Sequence, residues 1–190
     1  MKLNRRGWTL LLASVPIIAL FALLAWGLVK PDIGSVGLII NPNLDEISVE
    51  NTAVPSIQAR FINGNELTLP LESGRFLMID FWSSWCPPCK AEAPLLSQVY
   101  QEYKSMPVDF VGIAIWDDSD AVKKFVRELD IPYPVIVDLN GQIAIEYGVK
   151  GIPEKFFIDP SGALVKKYIG PMDAGTLRSV LDELLGPDYK

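Results

Sequence analysis

Histidine is absent from the 190-residue sequence, and cysteine occurs only twice. Without histidine the chain lacks the usual general base at neutral pH and the commonest metal ligand. This excludes serine–histidine and cysteine–histidine hydrolases. Two cysteines cannot complete a four-ligand zinc site without other ligands, so we expect neither a metal ion nor a bound cofactor.

Clusters of basic residues are also missing, and the net charge is −6. Nucleic-acid binding requires a clustered basic face, so we expect no nucleic-acid partner. The hydrophobic fraction of 49% is sufficient for a core, and the length allows one domain plus an appendage.

A long uncharged segment lies near the start of the chain. Between Arg6 and Lys30 there are 23 residues without a charge, and a membrane-spanning helix needs about 20. Lys2, Arg5 and Arg6 precede the segment, and the positive-inside rule keeps that end cytoplasmic. The alternative is a cleaved signal peptide, which has a shorter apolar core and a small-x-small cleavage site. We predict a single-pass membrane anchor over residues 1–29, with the rest of the chain outside the cytoplasm.

The remaining chain divides into a spacer and a domain. Residues 30–54 contain several prolines and glycines and show no sustained period, so we interpret them as a spacer. In residues 55–190, apolar runs of strand length alternate with segments of helical periodicity. Asn63-Gly64 and Pro160-Ser161-Gly162 predict β-hairpins. The pattern predicts an α/β sheet that is covered on both faces.

The two cysteines, Cys86 and Cys89, stand where a predicted buried strand gives way to a helix. A thiolate is favoured at a helix N-terminus, and the thiolate is the nucleophile of thiol–disulfide exchange. We predict that Cys86 is the nucleophile and that Cys89, one turn further and less accessible, is the resolving thiol. The alternative is an inert disulfide staple, although staples are typical of small domains that lack a core.

Two prolines separate the cysteines. With Cys86 as the N-cap, Pro87 and Pro88 occupy positions N1 and N2, and neither has an N–H group. An N-cap acceptor normally bonds to the N–H of N2 or N3, so only the N–H of Cys89 remains. We expect the Cys86 thiolate to be stabilised less than in an oxidase whose spacer supplies more donors.

The segment MIDFWSSWCPPCK resembles the active-site segment of thioredoxins. Together with CKAEAP, it is similar to the membrane-anchored extracytoplasmic thiol–disulfide oxidoreductases of the TlpA/ResA/DsbE group. The segment YGVKGIPEKFFIDPSG resembles the cis-proline loop of that family and the strand after it. The likeness extends from about Pro55 to Leu185. It implies an α/β, thioredoxin-like fold with a central mixed β-sheet flanked by helices, preceded by an N-terminal transmembrane helix.

The resemblance implies roles for residues around the cysteines. Pro153 matches the cis-proline beside the cysteines, and the Ile152 backbone would pair with a cysteine-bearing partner peptide. Trp82 and Trp85 match aromatic residues that wall the site, although each could equally be core packing. With Pro87 and Ile152, these two residues are the expected substrate contacts.

Three carboxylates compete for the proton-transfer role. Asp80 matches a buried aspartate of thioredoxins, where the TlpA-like group often has asparagine; a buried acid has a raised pKa and can take the proton of Cys89. Glu92 matches an active-site glutamate of the anchored group, with an ordinary first-turn helix charge as the alternative. Glu154 resembles a glutamate of the branch that serves cytochrome c assembly, with an exposed strand-edge residue as the alternative.

The resemblance implies an extracytoplasmic, monomeric reductase of protein disulfides. Its substrate would be the haem-attachment cysteines of apocytochrome c, and a membrane thiol transporter would supply the electrons. One alternative is a general oxidase or isomerase of exported disulfides. A peroxidase is another, but the Pro-x-x-x-Thr pattern of peroxiredoxins is replaced by Ile79 and Ser83. The last is a non-catalytic thioredoxin-like assembly module.

Overall fold

The structure, a computed structural model, describes residues 5–29, 39–40, 44–47, 49, 51–71 and 73–187. The chain forms two compact units, Met1–Gly37 and Leu38–Lys190. The first unit contains helix α1 (Arg5–Val29). None of the helices in the described residues combines the length with the hydropathy needed for a membrane span. The predicted anchor is therefore not confirmed, and Lys2 and residues 30–38 lie outside the described residues.

In the second unit, strands and helices alternate between residues 76 and 152, as the sequence predicts, and further strands precede and follow this part. The described strands are β1 (Ile39–Ile40), β2 (Asp45–Ile47), β3 (Thr52–Ala53), β4 (Ile57–Arg60), β5 (Glu66–Leu69), β6 (Phe76–Trp82), β7 (Val108–Ile115), β8 (Val135–Asp138), β9 (Gly151–Ile152), β10 (Glu154–Ile158) and β11 (Ala163–Ile169). The described helices of this unit are α2 (Pro87–Tyr103), α3 (Ser119–Glu128), α4 (Gln142–Glu146) and α5 (Ala174–Leu185).

The main sheet is mixed and follows the order β2-β11-β10-β6-β7-β8, with β3 also pairing with β11. β6, β7 and β8 run parallel, whereas β10 runs antiparallel to both β6 and β11. Ile79 and Phe81 of β6 belong to one buried hydrophobic cluster and Met78 to another, because successive residues of a strand point to opposite faces. The arrangement is the thioredoxin-like α/β fold that the sequence predicts.

Both predicted hairpins are confirmed. β4 and β5 pair antiparallel around Asn63-Gly64, and β10 and β11 pair antiparallel around Ser161-Gly162. The two turn glycines have φ angles of 94° and 85°. A glycine adopts this left-handed region at no steric cost, which is why turns of this kind use it.

Part of the predicted spacer, residues 30–54, belongs to the folded domain. β2 and β3 pair antiparallel with β11, and β1 pairs in parallel with β9. The interpretation as a spacer is therefore wrong for these strands. Each has only two or three residues, which is too short to show a hydrophobic period in the sequence.

Candidate active site

Cys86 and Cys89 are joined by a disulfide bond, and their Cα atoms are 5.3 Å apart. Cys86 is the N-cap of α2, with Pro87 and Pro88 at the first two helical positions. The N–H of Cys89 donates to Sγ of Cys86 at 3.3 Å. The predicted cap geometry is confirmed, and its donor is the N–H group that the two prolines leave available.

Both cysteines are buried in the oxidised protein. The exposed fraction is 0% for Cys86 and 2% for Cys89, so the expectation that Cys89 is the less accessible thiol is wrong for this state. Both cysteines belong to the hydrophobic cluster that contains Trp82 and Ile152. While the disulfide is closed, the two cysteines therefore differ little in solvent exposure.

The loop before the cysteines is fixed by the chain that follows β7. The backbone N–H and the hydroxyl of Ser84 donate to the Asp117 carboxylate at 2.5 and 3.0 Å. The indole N–H of Trp85 donates to the Trp116 carbonyl at 3.2 Å. Asp117 is a site residue that the sequence does not indicate, because its partner lies 33 positions earlier in the chain.

The two predicted wall residues have different surroundings. Trp82 is 3% exposed and packs against Phe125, with ring centroids 4.5 Å apart. Trp85 is 44% exposed, and Pro87 is exposed beside it. Trp82 is therefore a core residue behind the site, whereas Trp85 and Pro87 lie at the surface next to Cys86.

The peptide bond between Ile152 and Pro153 is cis, as the resemblance implies, and both residues are buried. Ile152 ends β9, the strand expected to pair with a partner peptide. In this structure β9 pairs with β1 of the same chain, with Ile40 opposite Ile152. A second cis peptide bond joins Leu69 and Pro70, which the sequence does not indicate.

Asp80 and Glu92 share one buried cation, Lys155. Lys155 on β10 lies directly opposite Asp80 on β6, and its Nζ is 3.4 Å from Asp80 Oδ1. The same Nζ donates to Oε1 of Glu92, while Oε2 of Glu92 accepts the N–H of Met172 at 2.8 Å. The three charged side chains are at most 4% exposed. Glu92 is thus not an ordinary exposed helix charge, and Lys155 is a second site residue that the sequence analysis missed.

Burial raises the pKa of both carboxyl groups. At Asp80 desolvation is the largest cause, and the positive charge of Lys155 opposes it. At Glu92 desolvation raises the pKa to about 7; the charge of Lys155 opposes this shift and the charge of Asp80 adds to it. Two carboxyl groups around one cation therefore hold a proton at a pH where isolated carboxyl groups would have lost it.

Glu154 is buried and paired with Lys167. Its Oε1 is 2.6 Å from Nζ of Lys167, and its Oε2 accepts the N–H groups of Lys150 and Gly151 at 2.8 and 3.1 Å. Lys167 also donates to the Gly148 carbonyl at 2.9 Å. The alternative of an exposed strand-edge residue is wrong. The pair holds the chain that leads into the cis peptide bond.

The site has the groups that thiol–disulfide exchange requires. It contains a cysteine pair at a helix N-terminus and a buried carboxyl pair that can hold a proton. Within residues 5–187, apart from the undescribed gaps, no group of three or more histidine, cysteine, aspartate or glutamate side chains is arranged to hold a metal ion.

The sequence matches proteins with this chemistry. The model of the AhpC/TSA family matches residues 51–167, which is more than half of the chain and includes both cysteines. The thiol–disulfide oxidoreductase ResA of Oceanobacillus iheyensis is 31% identical over 136 residues, which cover 70% of this chain and 71% of ResA.

Solved structures agree with this family. StoA from Bacillus subtilis has a TM-score of 0.60 and 30% identity, covering 67% of this chain and 98% of StoA. A secreted Mycobacterium tuberculosis disulfide oxidoreductase homologous to E. coli DsbE has a TM-score of 0.61 and 29% identity, covering 67% of this chain and 96% of that protein. The chain therefore belongs to the AhpC/TSA family of thioredoxin-like proteins and is a thiol–disulfide oxidoreductase of the TlpA/ResA/DsbE-like group.

Proposed function

We propose that the protein reduces disulfide bonds of extracytoplasmic proteins. The observation that carries this direction is the single N–H donor to the Cys86 sulfur, because Pro87 and Pro88 contribute none. With fewer N–H donors the Cys86 thiolate is less stable, and so is the reduced form of the protein. DsbA is a strong oxidant because its reduced form is stabilised, so the opposite arrangement favours a reductant.

The proposed reaction starts from the reduced pair. The Cys86 thiolate attacks one sulfur of the partner's disulfide, and the other partner sulfur leaves and takes up a proton. A buried carboxylate then takes the proton of the Cys89 thiol, and the Cys89 sulfur attacks Cys86. The Cys86–Cys89 disulfide forms, and the partner leaves with both sulfurs reduced. Two electrons pass to the partner, and a membrane thiol transporter returns two electrons without any further cofactor.

Substrate contact is proposed for Trp85, Pro87 and the backbone of Ile152. Trp85 and Pro87 are exposed beside the nucleophile, and the Ile152 backbone is the strand edge next to the cis-proline, Pro153. Trp82 supports these residues from the core. Each of these roles rests on the resemblance and on the position of the side chain.

We further propose apocytochrome c as the substrate. Glu154 follows the cis-proline and resembles a glutamate of the branch that serves cytochrome c assembly. Thioether bonds to haem require free thiols, and an oxidising compartment would otherwise close the haem-attachment cysteines into a disulfide. The reductase would keep these cysteines available.

The proposed location is outside the cytoplasm, with residues 1–29 as a membrane anchor and the protein as a monomer. The location rests on the sequence alone. It follows from the 23 uncharged residues between Arg6 and Lys30 and from the basic residues before them.

The reduction potential of the Cys86–Cys89 pair tests the direction of electron flow. A value near that of thioredoxin, about −270 mV, supports a reductase, whereas a value near that of DsbA, about −120 mV, identifies an oxidase. A non-catalytic module would reduce no insulin, and its Cys86→Ala variant would keep the cellular role. For the substrate, a Cys89→Ser variant should trap apocytochrome c as a mixed disulfide. Capture of other partners alone contradicts that assignment.

A further inference from the structure

Exposed apolar side chains are concentrated at the end of the main sheet that carries the cysteines. Among the described residues of the second unit, five large apolar side chains are exposed, and four of them are Trp85, Trp116, Leu139 and Ile145. Trp116 and Leu139 directly follow β7 and β8, and Trp85 comes shortly after β6. Because these three strands are parallel neighbours, their carboxyl ends lie at the same end of the sheet. Exposed apolar patches of this kind mark binding surfaces.

Trp116 is held in a backbone conformation that bulky residues rarely adopt. Its φ angle is 46°, and a non-glycine residue in this region persists only when its surroundings compensate for the strain. Its N–H donates to the Asp138 carbonyl at 3.0 Å, and its indole N–H donates to the Asn140 carbonyl at 3.2 Å. The ring packs directly on Gly141, where a Cβ atom would clash with it. Trp116 is nevertheless 42% exposed, so a fixed aromatic ring faces the solvent.

The same tryptophan is joined to the loop that carries Cys86. The Trp116 carbonyl accepts the indole N–H of Trp85 at 3.2 Å, and Trp85 immediately precedes the nucleophile. On the other side, the N–H of Ile145 donates to the carbonyl of Gly141, on which the Trp116 ring packs. The exposed apolar residues therefore lie on connected segments that start beside the nucleophile.

This surface extends away from the cis-proline. β10, which follows Pro153, lies on one side of β6, whereas β7 and β8 lie on the other. A partner peptide that pairs beside Pro153 and reaches Cys86 would therefore continue over the ends of β7 and β8.

We propose that the surface formed by Trp85, Trp116, Leu139 and Ile145 binds an aromatic side chain of the partner polypeptide, close in sequence to the partner's reactive cysteine. The inference rests on the proposed function and deepens it, because it extends the proposed contact at Trp85 to a defined feature of the substrate. Neighbouring strands are about 4.8 Å apart, so the ends of β6 and β8 are about 10 Å apart. About three extended residues span that distance, which sets the expected spacing between the aromatic residue and the cysteine.

A partner polypeptide fits this surface better than a second copy of the chain or a membrane. Thiol–disulfide exchange brings a partner sulfur to Cys86, so the partner lies against the residues beside it. A second copy has no cysteine besides Cys86 and Cys89 to offer. Asp118 and Glu146 are exposed next to Trp116 and Ile145 in the chain, and their charges disfavour an anionic lipid surface. Fixed tryptophan rings stack on aromatic side chains at a low entropic cost.

Peptide disulfides test the proposal in the full-length protein. Each peptide carries one cysteine as a mixed disulfide with a chromogenic aryl thiol. One peptide has phenylalanine three positions before the cysteine, one has it three positions after, and one has serine at both positions. In a Cys89→Ser parent, Cys86 attacks the peptide sulfur, the Cys86–peptide disulfide forms, and the aryl thiolate leaves and is measured. The better phenylalanine peptide should have a second-order rate constant about tenfold above that of the serine peptide.

Trp116→Asn removes the ring while keeping the backbone, because asparagine tolerates the left-handed conformation. It should lower the ratio of the two rate constants from about tenfold to about twofold or less. Trp116→Phe keeps an aromatic ring and should retain most of the ratio. Leu95→Gln is the matched control, because it removes the fifth exposed apolar side chain, which lies on α2; it should leave the ratio unchanged. If Trp116→Asn does not fold, Trp116→Gly fits the same φ angle and should lower the ratio equally.

Three outcomes would overturn the proposal. The first is an equal rate constant for the phenylalanine and serine peptides in the parent protein, and the second is an unchanged ratio in the folded Trp116 variants. The third is a dimer in sedimentation that Trp116→Asn dissociates, which would assign the surface to a second copy. A potential of the Cys86–Cys89 pair near that of DsbA would overturn the reductase proposal but leave the ratio in place, because the assay starts from reduced Cys86. The two failures can therefore be distinguished.

Discussion

Glu154 and Lys155 are neighbours on β10, yet their side chains lie on opposite faces of the sheet. Glu154 stands opposite Phe81 and Lys155 opposite Asp80 in the β10–β6 pair, and successive strand residues point to opposite sides. One strand thus contributes to two buried ion pairs. One pair holds the chain before the cis peptide bond, and the other joins Lys155 to Asp80 and Glu92, so that each pair can be perturbed separately.

Glu154→Gln should destabilise the protein by about 3 kcal/mol, because breaking a buried pair leaves one charge uncompensated. It should also raise KM for a protein disulfide more than it lowers kcat, because the contacts of the Glu154–Lys167 pair with residues 148–151 are weakened. Urea denaturation and steady-state kinetics measure the two effects. Glu46→Gln is the control: its exposed ion pair with Lys166 should contribute less than about 1 kcal/mol. Equal losses in the two variants would contradict the role of the buried pair.

Glu92 should make the oxidised protein less stable as the pH rises. Its folded pKa of about 7 exceeds the ordinary value of 4.5 because the group is desolvated, so the folded state binds more protons than the unfolded state between these values. The free energy of unfolding should therefore fall between about pH 5 and pH 7, by an amount of the order of 1–3 kcal/mol. Urea denaturation across this range should show a shallower fall in Glu92→Gln. If the free energy of unfolding fell as steeply in Glu92→Gln as in the wild type, a group other than Glu92 would cause the pH dependence.

Pro88→Ala should make the cysteine pair more oxidising. The substitution restores an N–H at N2, which an N-cap acceptor can use, and so stabilises the Cys86 thiolate. If the new hydrogen bond lowers the pKa of the Cys86 thiol by about half a unit, the reduction potential of the cysteine pair should rise by about 15 mV. Equilibration with glutathione measures the change. Pro87→Ala restores an N–H at N1 instead and should change the potential less; a larger change there would contradict the cap argument.

Asp117→Ala should slow the attack of Cys86 on a model disulfide several-fold. The variant loses the two hydrogen bonds that fix Ser84 and one from the N–H of Asp118, at a cost of about 1–3 kcal/mol in stability. Asp118→Ala is a neighbouring control. It removes the N-cap of α3 and should cost about 1 kcal/mol without slowing the reaction. Similar rates in the two variants would contradict the role of Asp117.

The cap of α2 could be predicted from the sequence because its parts are adjacent in the chain. Cys86, the two prolines and Cys89 determine by themselves which N–H groups are available. The apolar runs of β6 and β7 are local signals as well, since strands that are buried on both faces are hydrophobic throughout.

The buried cations could not be predicted in the same way, because their partners are distant in sequence. Lys155 pairs with Glu92 across 63 positions, and Lys167 receives its counterion from a different strand. One signal was present: Glu154 and Lys155 interrupt an apolar strand at the centre of the sheet, where charges need counterions. Asp80 interrupts the neighbouring apolar strand in the same way, which indicates it as a counterion for a charge on β10. β1 gave no signal, because two isoleucines have no period.

The pairing of β1 with β9 also bears on how a partner binds. Ile40 stands opposite Ile152, at the edge where a partner peptide is proposed to pair. Because both segments belong to one chain, β1 would compete with a bound peptide for this edge at an effective concentration that can reach the millimolar range. The double substitution Ile39→Pro/Ile40→Pro removes both N–H groups and should lower KM for a peptide disulfide without changing kcat, whereas Ile39→Val/Ile40→Val should not. An unchanged KM in the proline variant would show that no competition occurs. Under such competition, selectivity among partners depends on which of them pairs with β9 strongly enough to displace the enzyme's own strand.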